Sequence, residues 1–205
     1  MPGRNIVKKY APESYYHVYS RGINKEVVFR SEEDYSVFLG LIKRYISEET
    51  PRNISRHSYQ KFTDRITVLS FALMPNHIHL LLFQQDERAI AQFMKAVMTS
   101  YGMYFNKKYD RVGPVFQSNY RASLISEQRY LEHISRYIHL NPRNWEVSDK
   151  TSLQYYLGEK HADWLDPTKI LELFRDTDEF LRFVQDYESS KEILDELKWE
   201  LANEL

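Results

Sequence analysis

MPNHIHLLL, residues 74–82, joins a turn to a strand. Pro75 and Asn76 are turn formers. Successive side chains of a strand point to opposite faces, so His77 and His79 share one face. Ile78, Leu80 and Leu82 share the other and require a core behind it. The preceding RITVLSFALM, residues 65–74, is also apolar and reads as a strand antiparallel to HIHLLLFQ, residues 77–84. Only seven histidines occur in the chain, and two of them stand side by side on this surface. Such a pair suits a metal ion or a phosphate, and it equally suits a plain solvated strand face.

Outward from the hairpin the pattern alternates strand and helix. YYHVYSRG (15–22) has the two-residue period of a first strand, closing at Gly22. Residues 31–49 carry a helical stripe of Tyr35, Phe38, Leu39, Ile42, Tyr45 and Ile46, with Ser31 as N-cap and Asp34 three residues on. Residues 50–64 are polar, contain Pro51 and read as a loop. A long amphipathic helix follows at 87–109, RVGP breaks it at 111–114, and VFQSNYRASLI (115–125) reads as a fourth strand. A last helix spans 126–141, with Ser126 as its cap and Pro142 as its stop. The order βαββαβ predicts an α+β, ferredoxin-like antiparallel sheet with helices on one face, followed by a further helix. Where the hairpin strands sit in that sheet is left open.

The chain has 205 residues, 42% of them hydrophobic, enough for one good core. It has no cysteine, hence no disulfide framework or thiolate metal site. No apolar run is long enough to span a membrane, and the expectation is a soluble cytoplasmic protein. The net charge of −1 conceals a division. Residues 1–145 hold 21 Lys+Arg against 13 Asp+Glu, while 146–205 hold 7 against 16. The basic body suits a polyanion such as a nucleic acid. Residues 146–205 read as a separate acidic helical extension, with amphipathic stretches at 168–188 and 190–204. Trp164, Leu165, Ile170, Leu171, Phe174, Phe180, Phe183 and Val184 predict that it packs on the 1–145 domain.

The helix at 126–141 contains RYIHLNP, residues 136–142. Tyr137 and Asn141 are four apart and share a helical face, with His133 one turn earlier. Against the face of His77 and His79, Asn141 completes two imidazoles and one amide oxygen, a three-ligand divalent metal site with open positions. A tyrosine one turn away then has a phosphoryl group to attack. Each residue alone has an ordinary reading. Tyr137 is one of 16 tyrosines, Asn141 ends a helix, and His133 and His139 read as surface histidines.

Together these segments resemble the single-tyrosine transposases of the HUH (histidine–hydrophobic–histidine) nucleases, most closely the REP-associated tyrosine transposases. His77-Ile78-His79 matches the HUH element. The family's tyrosine helix ends in YIxxNP, matched by Tyr137, Ile138, Asn141 and Pro142. YYHVYSRGINKEVVF and GPVFQSNYRA also resemble the family, so the likeness covers roughly residues 10–145. The resemblance implies a nuclease and strand transferase acting on hairpin-forming single-stranded DNA. Tyr137 would form a 5′-phosphotyrosine link, and His77, His79 and Asn141 would hold Mg²⁺ or Mn²⁺. Arg21, Lys95, Lys107, Lys108, Arg111, Arg121 and Arg136 are the candidates for phosphate contact. A histidine-triad hydrolase is excluded because position 81 is Leu81. A rolling-circle initiator or relaxase, and a non-catalytic nucleic-acid binder, are the alternatives. A monomer is favoured over the dimer that short relatives form.

Overall fold

The computed structural model describes residues 10–47, 60–117 and 119–186. β1 (Ser14–Arg21), β2 (Ile66–Met74), β3 (His77–Gln84) and β4 (Arg121–Ile125) form one antiparallel sheet in the order β2-β3-β1-β4. This is the ferredoxin-like arrangement. β1 enters between β3 and β4, which puts the histidine strand in the interior and β2 at an edge.

α1 (Glu32–Ile46) and α2 (Ala89–Lys108) cover one face. Phe38, Ile42, Phe93, Val97 and Tyr101 bury Val18, Phe71, Ile78, Leu80 and Leu82 there, as the alternation requires. The Asp34 carboxylate ties the two helices together. It accepts from the Ser31 backbone N–H at 3.0 Å, from the hydroxyls of Tyr104 and Tyr109 at 2.8 and 2.7 Å, and from Lys108 Nζ at 2.8 Å.

The opposite face receives α3 (Gln128–His139), whose Leu131, Ile134 and Ile138 pack on Leu69, Ala72 and Leu81. α4 (Leu153–Tyr156), α5 (Thr168–Leu171) and α6 (Thr177–Gln185) enlarge that second core with Tyr156, Ile170, Phe180 and Val184. A bulge between Val68 and Ser70 serves the same side. It turns Leu69 into the second core and lets Ser70 Oγ meet the Tyr156 hydroxyl at 2.7 Å. Leu171, Phe174 and Phe183 pack at its rim, while Trp164 and Leu165 belong to the first core.

The segment after α3 also covers the exposed edge of β2. The Leu73 N–H donates to Lys150 O at 2.8 Å, the Ser152 N–H to Phe71 O at 3.0 Å and the Asp166 N–H to Val68 O at 2.9 Å. An edge strand left bare would be a template for pairing with another chain. Among the described residues no helix is long and apolar enough to cross a membrane.

Element boundaries shift from the sequence expectation, three of them with structural consequences. β4 begins at Arg121 rather than 115, because the chain at 115–117 instead bonds to the end of β1. Gln117 N–H donates to Arg21 O at 2.8 Å and Ile23 N–H to Val115 O at 3.0 Å. Gly22 is required there, since a Cβ would lie 2.2 Å from Glu26 O. The N-cap of α3 is Glu127 and not Ser126, which falls in the turn after β4. In the extension the 168–188 stretch divides into α5 and α6, and 190–204 lies outside the described residues.

Candidate active site

Strand register assembles the site. Residues directly opposite one another share a face of the sheet. Arg21 pairs with His77, Tyr19 with both His79 and Arg121, and His17 with Leu81 and Ser123. Arg21, Arg121, His17, Tyr19, His77 and His79 therefore stand on the face that α3 crosses. The Tyr137 ring meets His79 edge-on, with centroids 5.4 Å apart and planes at 88°, and lies 6.0 Å from His17. Asn141 follows one turn later, and its Nδ2 donates to Tyr137 O at 3.2 Å. His77, His79, Tyr137 and Asn141 thus come together across 64 residues of chain.

The surface is not the open one that the strand pattern allows. His79 is 5% exposed and His17 1%. Burial, with smaller contributions from His17, His77 and Arg21, holds the His79 pKa well below the ordinary histidine value. Burial also lowers His77; Asn141 opposes the shift and Arg21 reinforces it. Both imidazoles are therefore neutral near pH 7.

Hydrogen-bond roles then follow from the two asparagines. Asn76 Nδ2 donates to Lys25 O at 3.2 Å, which turns its Oδ1 toward His77 Nδ1 at 2.7 Å. An amide oxygen only accepts, so Nδ1 carries the proton and His77 Nε2 is bare. That bare nitrogen faces Asn141 Oδ1 at 3.3 Å. The Asn141 amide is itself oriented by its donation to Tyr137 O. Two lone pairs converge with no proton between them, a disposition suited to a cation. Two imidazole nitrogens and an amide oxygen are an acceptable donor set for a divalent ion. Among the described residues no three His, Cys, Asp or Glu side chains gather for a metal. A third donor at this place would be the Asn141 amide.

The basic candidates separate. Arg21 and Arg121 are half-buried in the same rows as His77 and His79, and Arg21 Nε makes no hydrogen bond. Lys95 and Lys107 are exposed on α2, across the sheet. Lys108 is held by Asp34 and Glu33 at 2.8 Å each, and Arg111 pairs with Glu26 at 3.2 Å. Arg136 does not reach an open surface. It is 1% exposed, with its guanidinium 3.5 Å from the centroid of the Phe183 ring and donating to Asp186 O at 3.2 Å. The acidic extension has claimed this cation. His133 also turns from Tyr137 toward Phe183, with ring centroids 5.5 Å apart. His139 is fully buried rather than on the surface, 2.8 Å from Ser152 Oγ.

His17 and Asn76 were missed by the sequence reading as parts of the site. Alternation gave the face of His17, but only the strand order brings it beside His79.

The fold and site define a class of βαββαβ proteins in which a helix carrying a tyrosine lies over a paired-histidine strand. A family model described as transposase IS200-like matches residues 13–141, and the chain belongs to that family. A solved REP-associated tyrosine transposase bound to a REP hairpin has the same fold. Its TM-score is 0.55 at 14% identity, covering 80% of this chain and 93% of that one. A candidate transposase from Deinococcus radiodurans R1 aligns over 65% of this chain and 97% of its own, at 18% identity and a TM-score of 0.39. No curated protein matches.

Proposed function

We propose that this IS200-like transposase is a metal-dependent single-stranded DNA endonuclease and strand transferase acting through a 5′-phosphotyrosine intermediate. The observation that carries the reading is the convergence of His77 Nε2 and Asn141 Oδ1 beside the Tyr137 ring. His77, His79 and Asn141 would hold Mg²⁺ or Mn²⁺, which when bound would supply Lewis-acid polarisation of a phosphoryl oxygen. Tyr137 Oη attacks phosphorus, and its phenolic proton passes to solvent. The P–O3′ bond breaks, and the leaving 3′ oxygen takes a proton to become a free hydroxyl. One phosphodiester is exchanged for another, so a 3′-hydroxyl attacking the phosphotyrosine rejoins strands and releases Tyr137.

Arg21 and Arg121 are the phosphate contacts nearest the chemistry, since both share the histidine face. The exposed Lys95 and Lys107 would serve only DNA reaching the opposite side of the sheet. The hairpin bound by the REP-associated relative supports hairpin-forming DNA as the substrate class. The covered β2 edge closes one route by which the sheet could extend into a second copy, in keeping with a monomer.

The test is incubation with labelled, hairpin-flanked single-stranded DNA and Mg²⁺ or Mn²⁺. Cleavage with a protein–oligonucleotide adduct on a denaturing gel is expected. Tight binding without cleavage or adduct would make this chain a nucleic-acid binder instead.

A further inference from the structure

His17 lies outside the donor set of the proposed metal, yet it touches that set directly. Its Nε2 is 2.9 Å from His79 Nδ1. The two ring planes are within 16° of each other and the centroids are 5.1 Å apart. With nitrogens in hydrogen-bond contact, those values describe two rings joined edge to edge in nearly one plane. That is the geometry of an N–H···N bond. β1 is paired on both sides, to β3 and β4, so His17 is held from two directions. It is 1% exposed, and a buried polar ring needs a partner.

A neutral imidazole has one N–H and one bare nitrogen. If His79 donates through Nδ1, its Nε2 is bare, as His77 Nε2 is. If His79 accepts, its proton sits on Nε2 and blocks that nitrogen as a ligand. Asn76 already makes this selection for His77 through an oxygen that only accepts. We propose that His17 is a positioning residue that accepts from His79 Nδ1–H, fixing its ring and keeping Nε2 bare as the nitrogen left to hold a metal ion. The proposal rests on the metal-dependent reading above. Partners of this kind behind a ligating histidine typically carry about 10–100-fold in metal affinity.

The experiment uses the full chain and two readouts. Nitrogen-15 NMR of the metal-free protein identifies the His79 tautomer, and Mn²⁺ titration calorimetry measures affinity. Wild type is expected to show His79 protonated at Nδ1. H17F fills the space without an acceptor; H17M, a more adaptable side chain, replaces it if H17F does not fold. Either should lose the single tautomer and weaken Mn²⁺ about 10–100-fold. H17Q, whose amide oxygen can accept near the Nε2 position, should recover most of that loss. A mere packing role would not distinguish Gln from Phe or Met. His79 protonated at Nε2 in wild type overturns the inference, as does unchanged Mn²⁺ affinity in the apolar variant. Failure of wild type to bind Mn²⁺ sinks the metal-dependent reading, and the tautomer in the metal-free protein still decides the role of His17.

Discussion

Removing the Phe180 ring tests whether the acidic extension is part of the core or a loosely associated cover. Phe180 is fully buried. Its ring stacks on Tyr156 at 4.9 Å and meets Phe174 at 5.3 Å and His139 at 5.8 Å. The space is bounded by α3, α4 and α6, so collapse around a small residue is restricted. Phe→Ala at such a site costs about 3–5 kcal/mol, a large part of the roughly 5–15 kcal/mol of a native domain. At about 2–4 °C per kcal/mol for a chain of this size, Phe180→Ala should lower the melting temperature by about 6–20 °C. Circular dichroism melts of wild type, Phe180→Ala and the exposed control Leu124→Ala measure this. Leu124 is 52% exposed, and its variant should stay within about 0.5 kcal/mol of wild type. A Phe180→Ala loss as small as the control's would refute the reasoning, showing that the extension does not share the core of the sheet.

Further outcomes follow from the site. Asn141→Ala and His77→Ala should each abolish or strongly weaken calorimetric Mn²⁺ binding. Unchanged affinity in both would remove the proposed donor set. Arg21→Ala should weaken single-stranded DNA binding and reduce the slope of log affinity against log salt by about 1. Lys95→Ala should leave that slope alone, and equal effects would disprove the division of basic residues. Acid should destabilise the fold. Burial pushes His17 and His139 down to about 3, and His133 to about 4 with help from Arg136 and Arg129. Between those values and about 6.5 the unfolded chain binds more protons, so stability rises with pH there and is lost as pH falls below about 6.5. Each histidine adds up to about 1.4 kcal/mol per pH unit. Urea unfolding at pH 7.5, 6 and 5 should show the decline, and a flat profile would contradict the burial of these rings.

The hairpin was readable because its signals are local. Pro75 and Asn76 punctuate the turn, and β3 is observed at His77–Gln84, as the alternation indicates. Tyr137 was readable for the same reason, while α3 ends at His139 and Asn141 lies just past it, held near Tyr137 by its own hydrogen bond to Tyr137 O. Strand order was not readable, because a two-residue period says which face a side chain takes and nothing about which strand lies beside it. His17 escaped notice for that reason. The apolar and aromatic composition of 115–120 suggested strand, but the tight turn at Gly22 draws residues 115–117 to the end of β1. Charge was the poorest guide. A basic residue in the sequence does not reveal whether the fold has already engaged it, as Asp34 pairs with Lys108 and as the extension buries Arg136 against Phe183 and Asp186 O.

Tyr137→Phe, assayed for covalent attachment to single-stranded hairpin DNA, tests the central claim most directly. The substitution removes one oxygen from a half-buried ring and keeps its edge-on contact with His79. Wild type should give a Mg²⁺- or Mn²⁺-dependent adduct that survives denaturation. The Phe variant should fold, bind the same DNA and form no adduct. An adduct of undiminished yield in the Phe variant would contradict the account, because another residue would then carry the reaction and the α3 tyrosine would be only part of the packing.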